Sequence, residues 1–414
     1  MHRTRLLLLP VVAALAVSSG CQSTDRTLGT AEKVITRPTI QTVVGIAASR
    51  SPETVIRKRL EGYLRNPVRL ARDLRQAQRD YETLKKALSG KVGKTWGKKE
   101  VRLPDRTHYV KYTQNYKSRA IVDFDKGEIL VETLDEGDPR GSLKNAIVTT
   151  LLTPDDPRAV DLFSDKGVTL TGEKDPYLLG LVQDQNGGSI RTPAEAEPFA
   201  DYLIANKSAT RTVQQDKGSR TAHVVSMTMV PNFSNKQADK YRPQVSRFAE
   251  QYDVSPNLVF AIIRTESNFN PFAVSGAPAY GLMQLVPTSG GREAYRRAKG
   301  SDTTPSREYL FNADNNIELG TALLNVLHYK QFEDVDNTVS REYCVISAYN
   351  TGLRNVLRTF SKDVVTAVNQ INSLEPPAVY DKLRQDLPYQ ETRDYLVKVT
   401  SFRKQFVSAS NGVQ

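Results

Sequence analysis

The 414 residues include only two cysteines, one tryptophan, four methionines and four histidines. So few cysteines exclude a disulfide scaffold, because Cys21 and Cys344 allow one bridge at most and lie far apart in the chain. His2, His108, His223 and His328 have no ligand spacing, so no metal site is expected. A glycine-rich phosphate loop and a Ser/His/Asp nucleophile signature are also missing, and no cofactor is expected. No apolar run reaches the roughly 20 residues that span a bilayer comfortably. Acidic residues are the scarcer charge: 57 Lys and Arg against 46 Asp and Glu leave a net charge of +11. That excess suits polyanions, anionic surfaces or acidic polymers, and equally a solvated basic surface with no specific partner.

What is present begins with a processing signal. His2, Arg3 and Arg5 precede LLLLPVVAALAV (residues 6–17), a run with the length of a signal-peptide core. Ser18-Ser19-Gly20-Cys21 then resembles the lipobox of bacterial lipoproteins, which implies lipidation at Cys21 and anchoring to a membrane. Ser18 stands where that motif usually has Leu, and a plain cleaved signal peptide is the alternative. Gln22 after the cysteine resembles the signal for outer- rather than inner-membrane retention, so the expected location is the periplasmic face of the outer membrane. An export signal also makes a nucleic-acid partner improbable. Cys344 is then left as a single thiol in the apolar helix YCVISAY, an ordinary core role.

The chain divides, by composition and periodicity, into a lipoprotein signal peptide (1–21), a tether rich in Thr, Ser and Gln (22–55), an α+β accessory domain (56–232) and a helical domain (233–414). Charged helical periodicity runs from about Pro52 to Ser89, broken at Pro67 with Asn66 as cap. Strands are expected at 108–114, 119–125, 128–134 and 223–230, with Asp125-Lys126-Gly127 as a hairpin turn. Helices are expected at Lys144–Leu152, Ala159–Phe163 and Ala194–Ile204. Trp96, in GKTWGKK, reads as part of a polar basic loop where it could stack on a sugar. Asn315 and Glu318 are set like a capping box. Arg292, Arg296, Arg297 and Lys299 make a basic cluster, either a solvated face or a contact for carboxylates.

The candidate chemistry sits in RTESNFNPFAVSGAPAYGLMQLVP (residues 264–287). Ser255-Pro256 starts a helix on which Val259, Ile262, Ile263 and Glu266 step as i, i+3, i+4 and i+7 along one face. Glu266 therefore falls where an apolar stripe should continue, at the negative end of the helix dipole. Desolvation and dipole both raise a carboxylate's pKa, which is what a general acid needs near neutral pH. The competing reading ends the helix one residue early and turns Glu266 to water. Asn270-Pro271 and the turns around Gly276, Pro278 and Gly281 favour the first reading, since a rigid loop there could close over the carboxylate.

ESNFNPFAVS, GLMQLVP, SAYNTG (347–352) and ETRDYLVKV (391–399) occur in one order and spacing. Together they resemble the lysozyme-like domain of the soluble-lytic-transglycosylase family, over about Asp239–Phe406. The resemblance implies an α+β N-terminal domain followed by an all-α, lysozyme-like catalytic domain. It implies cleavage of the β-1,4 bond between N-acetylmuramic acid and N-acetylglucosamine in peptidoglycan, with the muramic acid's C6 hydroxyl as nucleophile and a 1,6-anhydro end as product. A single acid/base glutamate then suffices, whereas ordinary glycosidases use two carboxylates. By motif position Glu266 corresponds to that glutamate. Ser275, Gln284, Tyr349, Asn350, Glu391 and Tyr395 correspond to substrate-contacting positions. Peptidoglycan strands, the membrane and other cell-wall enzymes are the implied partners. Pro278 in place of the family's first Gly, and Thr351 after the AYN motif, depart from the pattern. Two other readings remain open: a true hydrolase with Asp314 or Glu391 as second carboxylate, and a non-catalytic wall-binding lipoprotein.

Overall fold

The computed structural model describes residues 67–170, 174–216, 218–276 and 278–411. The signal peptide, Cys21, the tether and the helix expected before Pro67 lie outside the described residues. An α+β part comes first and a helical part follows, as expected. Helix α1 spans Pro67–Trp96, then come strands β1 (His108–Thr113), β2 (Ser118–Asp123) and β3 (Glu128–Thr133). Helices α2 (Pro139–Leu152) and α3 (Pro193–Lys207) precede β4 (Ser208–Gln215) and β5 (Gly218–Thr228). All pairings are antiparallel in the order β1-β2-β3-β5-β4.

Alternation along the strands explains why this sheet is covered on both faces. Ala120, Val122, Ile129, Val131, Val225 and Met227 share a core with Ile147, Leu151, Phe199 and Leu203 of α2 and α3. The opposite face packs Val110, Tyr112, Val213 and Ala222 under Leu88, Val92 and Trp96 of α1. Local chemistry sets the helix starts. Asp138 accepts from the Gly141 N–H ahead of Pro139, and Glu195 accepts from the N–H groups of Arg191 and Thr192.

Within the α+β part three features differ from the sequence reading. Trp96 is fully buried: its indole N–H donates to the Tyr116 carbonyl (2.7 Å) and the Arg119 guanidinium stacks 3.9 Å from its ring. The polar residues of GKTWGKK mask a helix end whose inner face is apolar. Residues Ala159–Phe163 form no α-helix; one 3₁₀ turn at Pro157–Ala159 takes their place, capped by Asp156. Strand β4 is absent from the expected set because it is a mostly exposed edge strand with only Val213 buried, so it lacks apolar alternation.

Under Trp96 lies a closed charge network. Arg119 Nε donates to Glu132 (2.6 Å) and its other nitrogens reach Glu100, while Arg211 Nε donates to Glu132 (2.6 Å) and its terminal nitrogens to Glu100. Arg119 and Glu132 face each other in the β2–β3 register and both are fully buried. Arg211 above all holds the Glu100 carboxyl down at about 2.

The helical part runs α4 (Phe233–Lys240), α5 (Arg242–Gln251), α6 (Pro256–Ser267), α7 (Arg292–Lys299), α8 (Arg307–Phe311) and α9 (Ala313–Val326). It continues with α10 (Thr338–Thr351), α11 (Leu353–Phe360), α12 (Val364–Ser373), α13 (Pro376–Asp386) and α14 (Gln390–Asn411). Helix α6 is the centre: Leu258–Ile263 are all buried, so the helix is wrapped on every side rather than along one stripe. Ser255 occupies its N-cap position without a side-chain capping bond. The cap of α9 is Asn312, which accepts from the Asn315 N–H (3.0 Å). Glu318 pairs instead with Lys299 (2.7 Å) and accepts from Tyr252, so Asn315 and Glu318 form no capping box. The basic cluster is likewise engaged internally, with Arg292 on Asp302 and Arg297 on Asn325.

Removing one partner of a buried ion network leaves the other charges uncompensated, which costs about 3–5 kcal/mol. Glu132→Gln keeps shape and removes the charge between two arginines, so its urea midpoint is expected to fall by that order of stability. A midpoint within error of wild type would contradict the network's role.

Candidate active site

Helix α6 ends at Ser267, and the chain turns sharply because Asn268 and Phe269 both adopt left-handed backbone (φ 44° and 61°). Asn268 is a tolerant residue for that geometry; Phe269 holds it because its ring is buried against Tyr241, Phe260 and Phe406. The loop that follows is fastened to the α+β part. Asn268 Nδ2 donates to the Phe124 carbonyl (2.6 Å), Asn270 Nδ2 to the Arg106 carbonyl (3.1 Å), and the Val274 N–H to the Asp105 carbonyl (3.3 Å). Phe272 inserts into the sheet's core, 4.7 Å from the Tyr109 ring and 5.1 Å from that of Tyr177.

Glu266 is buried, at 6% exposure, as its helical face predicts. Burial pushes its carboxyl up to about 7, with Glu391 adding to the rise while the Tyr395 hydroxyl and Arg106 oppose it. Tyr395 Oη lies toward the carboxylate, close enough to favour its charge, yet completes no hydrogen bond and has no other partner. Arg106 Nη1 stands 4.0 Å from Glu266 Oε2 and 3.5 Å from Glu391 Oε1. Burial next to Glu266 raises the phenols of Tyr349 and Tyr395 well above the usual range.

Of the other sequence-derived residues, Tyr349, Tyr395 and Glu391 act on Glu266, whereas Ser275 lines a cavity whose lining does not include Glu266, and Gln284, Asn350 and Asp314 make their contacts elsewhere. Tyr349, half-buried on α10, donates to the Met283 carbonyl (2.9 Å) and ties that helix to the GLMQ turn. Asn350 accepts from the Thr392 hydroxyl (2.6 Å), joining α10 to the start of α14. Gln284 has positive φ (46°) and is buried; its amide donates to the carbonyls of Ala273 (3.1 Å) and Gly281 (2.9 Å), leaving Oε1 unpartnered. Ser275 is half-buried on the rim of a cavity of about 730 Å³ that it shares with Asp105, Arg106, Arg264, Asn268 and Lys398. Glu391 is largely exposed in the first turn of α14. Asp314 is paired outward with Arg247 (3.0 Å).

The GLMQ turn is moulded on α9. Asn316 donates to the carbonyls of Tyr280 (2.8 Å) and Leu310 (2.7 Å) and accepts from the Met283 N–H (2.7 Å). Gly281 has φ 76°, and a Cβ there would fall 2.5 Å from the Leu310 carbonyl, so no other residue fits. Gly320 faces Met283, whose sulfur occupies the place a Cβ would need. Pro278 is buried within the loop, so the departure from Gly is accommodated in its packing.

Residues 72–240 match the family model of the N-terminal domain of membrane-bound lytic murein transglycosylase C, and residues 244–371 match the transglycosylase SLT domain. The membrane-bound lytic murein transglycosylase C of Yersinia enterocolitica is 44% identical over 326 residues, covering 79% of this chain and 89% of that protein. This chain belongs to the membrane-bound lytic murein transglycosylase C family. Its Klebsiella pneumoniae relative is 45% identical over 311 residues, 75% of this chain and 85% of that one. Among solved structures, an inactive mutant of the lytic transglycosylase Slt from Pseudomonas aeruginosa aligns at 27% identity and TM-score 0.32, over 42% of this chain and 25% of that one. No helix among the described residues is long and apolar enough to cross a membrane, and no cluster of metal-ligating side chains occurs among them.

What the sequence does not reveal in this family member is Arg106. RLPDRTHY carries no motif, and only the docking of the Asn270 loop brings its guanidinium to the carboxylate.

The raised carboxyl makes a stability prediction with a definite sign. Between the ordinary value of 4.5 and about 7 the folded state holds more protons than the unfolded chain, so stability falls as pH rises through that window. Glu266→Gln is therefore expected to melt higher than wild type above pH 7, by on the order of 3 kcal/mol, and to match it below pH 4. Thermal unfolding across pH checks this; a gap that does not change with pH would contradict it.

Proposed function

We propose that this chain cleaves the β-1,4 bond between N-acetylmuramic acid and N-acetylglucosamine in peptidoglycan without consuming water. The observation that carries the reading is one buried carboxylate poised near neutrality, while the two carboxylates the motifs offer as a second, Asp314 and Glu391, are each paired with an arginine. Protonated Glu266 gives its proton to the glycosidic oxygen as the C1–O bond breaks. The resulting carboxylate takes the proton of the C6 hydroxyl while O6 closes on C1, which yields the 1,6-anhydro end and restores Glu266. A value near 7 suits both halves of such a cycle. Intramolecular attack also avoids the entropy cost of capturing a water molecule.

Around this chemistry Tyr395 donates to the Glu266 carboxylate once charge develops. Ser275 meets the sugar at the cavity rim, and Glu391 forms the far wall. Tyr349 and Asn350 brace the cleft through Met283 and Thr392, and Gln284 shapes its loop from within. A hydrolase of lysozyme type would draw its second carboxylate from Asp314 or Glu391, and both are held by arginines. The working division is an accessory domain at 56–232 and a catalytic domain at 233–414. The accessory domain positions the enzyme or the glycan. Cys21 carries the lipid that holds the enzyme at the outer membrane's periplasmic face, where glycan strands and other cell-wall enzymes are its partners.

Mass spectrometry of muropeptides released from purified sacculi tests this. Products one water lighter than hydrolytic ends are expected, with release slowed about 10²–10⁴-fold in Glu266→Gln. Reducing ends, or equal release by Glu266→Gln, would overturn it.

A further inference from the structure

We propose that Arg106, carried by the turn that leads into β1, is a positioning residue for the Glu266 carboxylate, so that the acid/base group of the helical part is complete only with the α+β part docked against it. The proposal rests on reading Glu266 as the acid/base group. Its ground is geometric. One guanidinium nitrogen stands 4.0 Å from Glu266 Oε2 and 3.5 Å from Glu391 Oε1, and so lies within reach of both carboxylates.

Arg106 is held there from both sides. Its own carbonyl accepts from Asn270 and that of Asp105 accepts from the Val274 N–H, both on the loop that follows Glu266. Within the turn, Asp105 Oδ1 accepts from the N–H groups of Thr107 and His108 (2.8 Å each). The turn and the catalytic loop are therefore one braced unit, and the guanidinium is aimed across the seam by hydrogen bonds to its own backbone. Among the described residues, four titratable side chains act on Glu266: Tyr395 and Glu391 from α14, Tyr349 from α10, and Arg106 from the turn. Arg106 supplies the positive charge and Glu391 the negative one.

The chemical consequence follows from the cycle. Donation of the proton leaves a carboxylate in a buried site, and burial alone makes that state costly. A guanidinium that is always charged offsets the cost without offering a proton of its own. At 4.0 Å it places charge without forming a direct hydrogen bond, so the carboxyl remains free to turn toward the substrate oxygens. Glu391 tempers the effect, because its carboxylate draws on the same nitrogen.

The test is the pH dependence of the maximal rate of muropeptide release from sacculi, measured on the full chain. Loss of the acid form of Glu266 sets the alkaline limb. In Arg106→Gln that limb is expected to move up by about one pH unit, the lower end of what a nearby opposite charge produces. Arg106→Lys should return it part of the way, and Glu391→Gln should move it down. Arg106 and Glu391 are both substantially exposed, so these variants keep the fold, which thermal unfolding verifies. An alkaline limb unmoved in Arg106→Gln, whatever the overall rate, overturns the proposal and marks the arginine as a structural brace. Wild-type rates in Glu266→Gln would instead overturn the underlying assignment.

Discussion

Two asparagine amides donating across a seam set the conditions for the rest of the site. Asn268 and Asn270 follow the buried glutamate almost directly, and each ends on a backbone carbonyl of the α+β part. Because these acceptors are main-chain atoms, the seam needs the sheet's geometry more than any particular side chain in it. Phe272 adds apolar anchorage by entering the other part's core. The end of α6 is thereby fixed between the α+β and helical parts, and the carboxylate at its tip inherits that fixity. A strained left-handed pair is tolerated at 268–269 because the surroundings determine it on every side.

Carboxylates are handled in two opposite ways within this chain. Glu132 is fully buried and receives two arginines at 2.6 Å, so its charge is compensated by short, direct hydrogen bonds. Glu266 is nearly as buried but receives a phenol that completes no bond and a cation held at 4.0 Å. The first arrangement fixes a charge in place; the second leaves a proton equilibrium open near neutrality. Local surroundings, not residue type, separate a carboxylate held charged from one whose proton affinity is raised.

Much of the site is legible in the sequence because it lies on periodic or motif-bearing segments. Helical spacing alone puts Glu266 on a buried face, and Tyr349 and Tyr395 lie on helices whose motifs place them beside it. The details that sequence misses share one cause: they depend on partners remote along the chain. Trp96 reads as polar because its neighbours are, yet Arg119 and Tyr116 form its pocket. Strand β4 carries too little apolar pattern, since an edge strand needs only one buried residue to be held by its ladder to β5. Glu318 reads as part of a cap because Lys299, its partner, belongs to another helix. Arg106 is unreadable for the same reason.

The GLMQ turn shows what such fixity means for recognition. Gly281 fits because no side chain would, Asn316 ties the turn at two points and joins it to α8 through the Leu310 carbonyl, and Met283 fills the space beside Gly320. The turn's conformation is set by these contacts within the protein itself. A flexible saccharide loses its own freedom on binding, and a surface that also had to be organised would add to that loss. For the glycan cleft proposed above, the internal bonds of this turn would supply the protein's share of that ordering once the chain has folded.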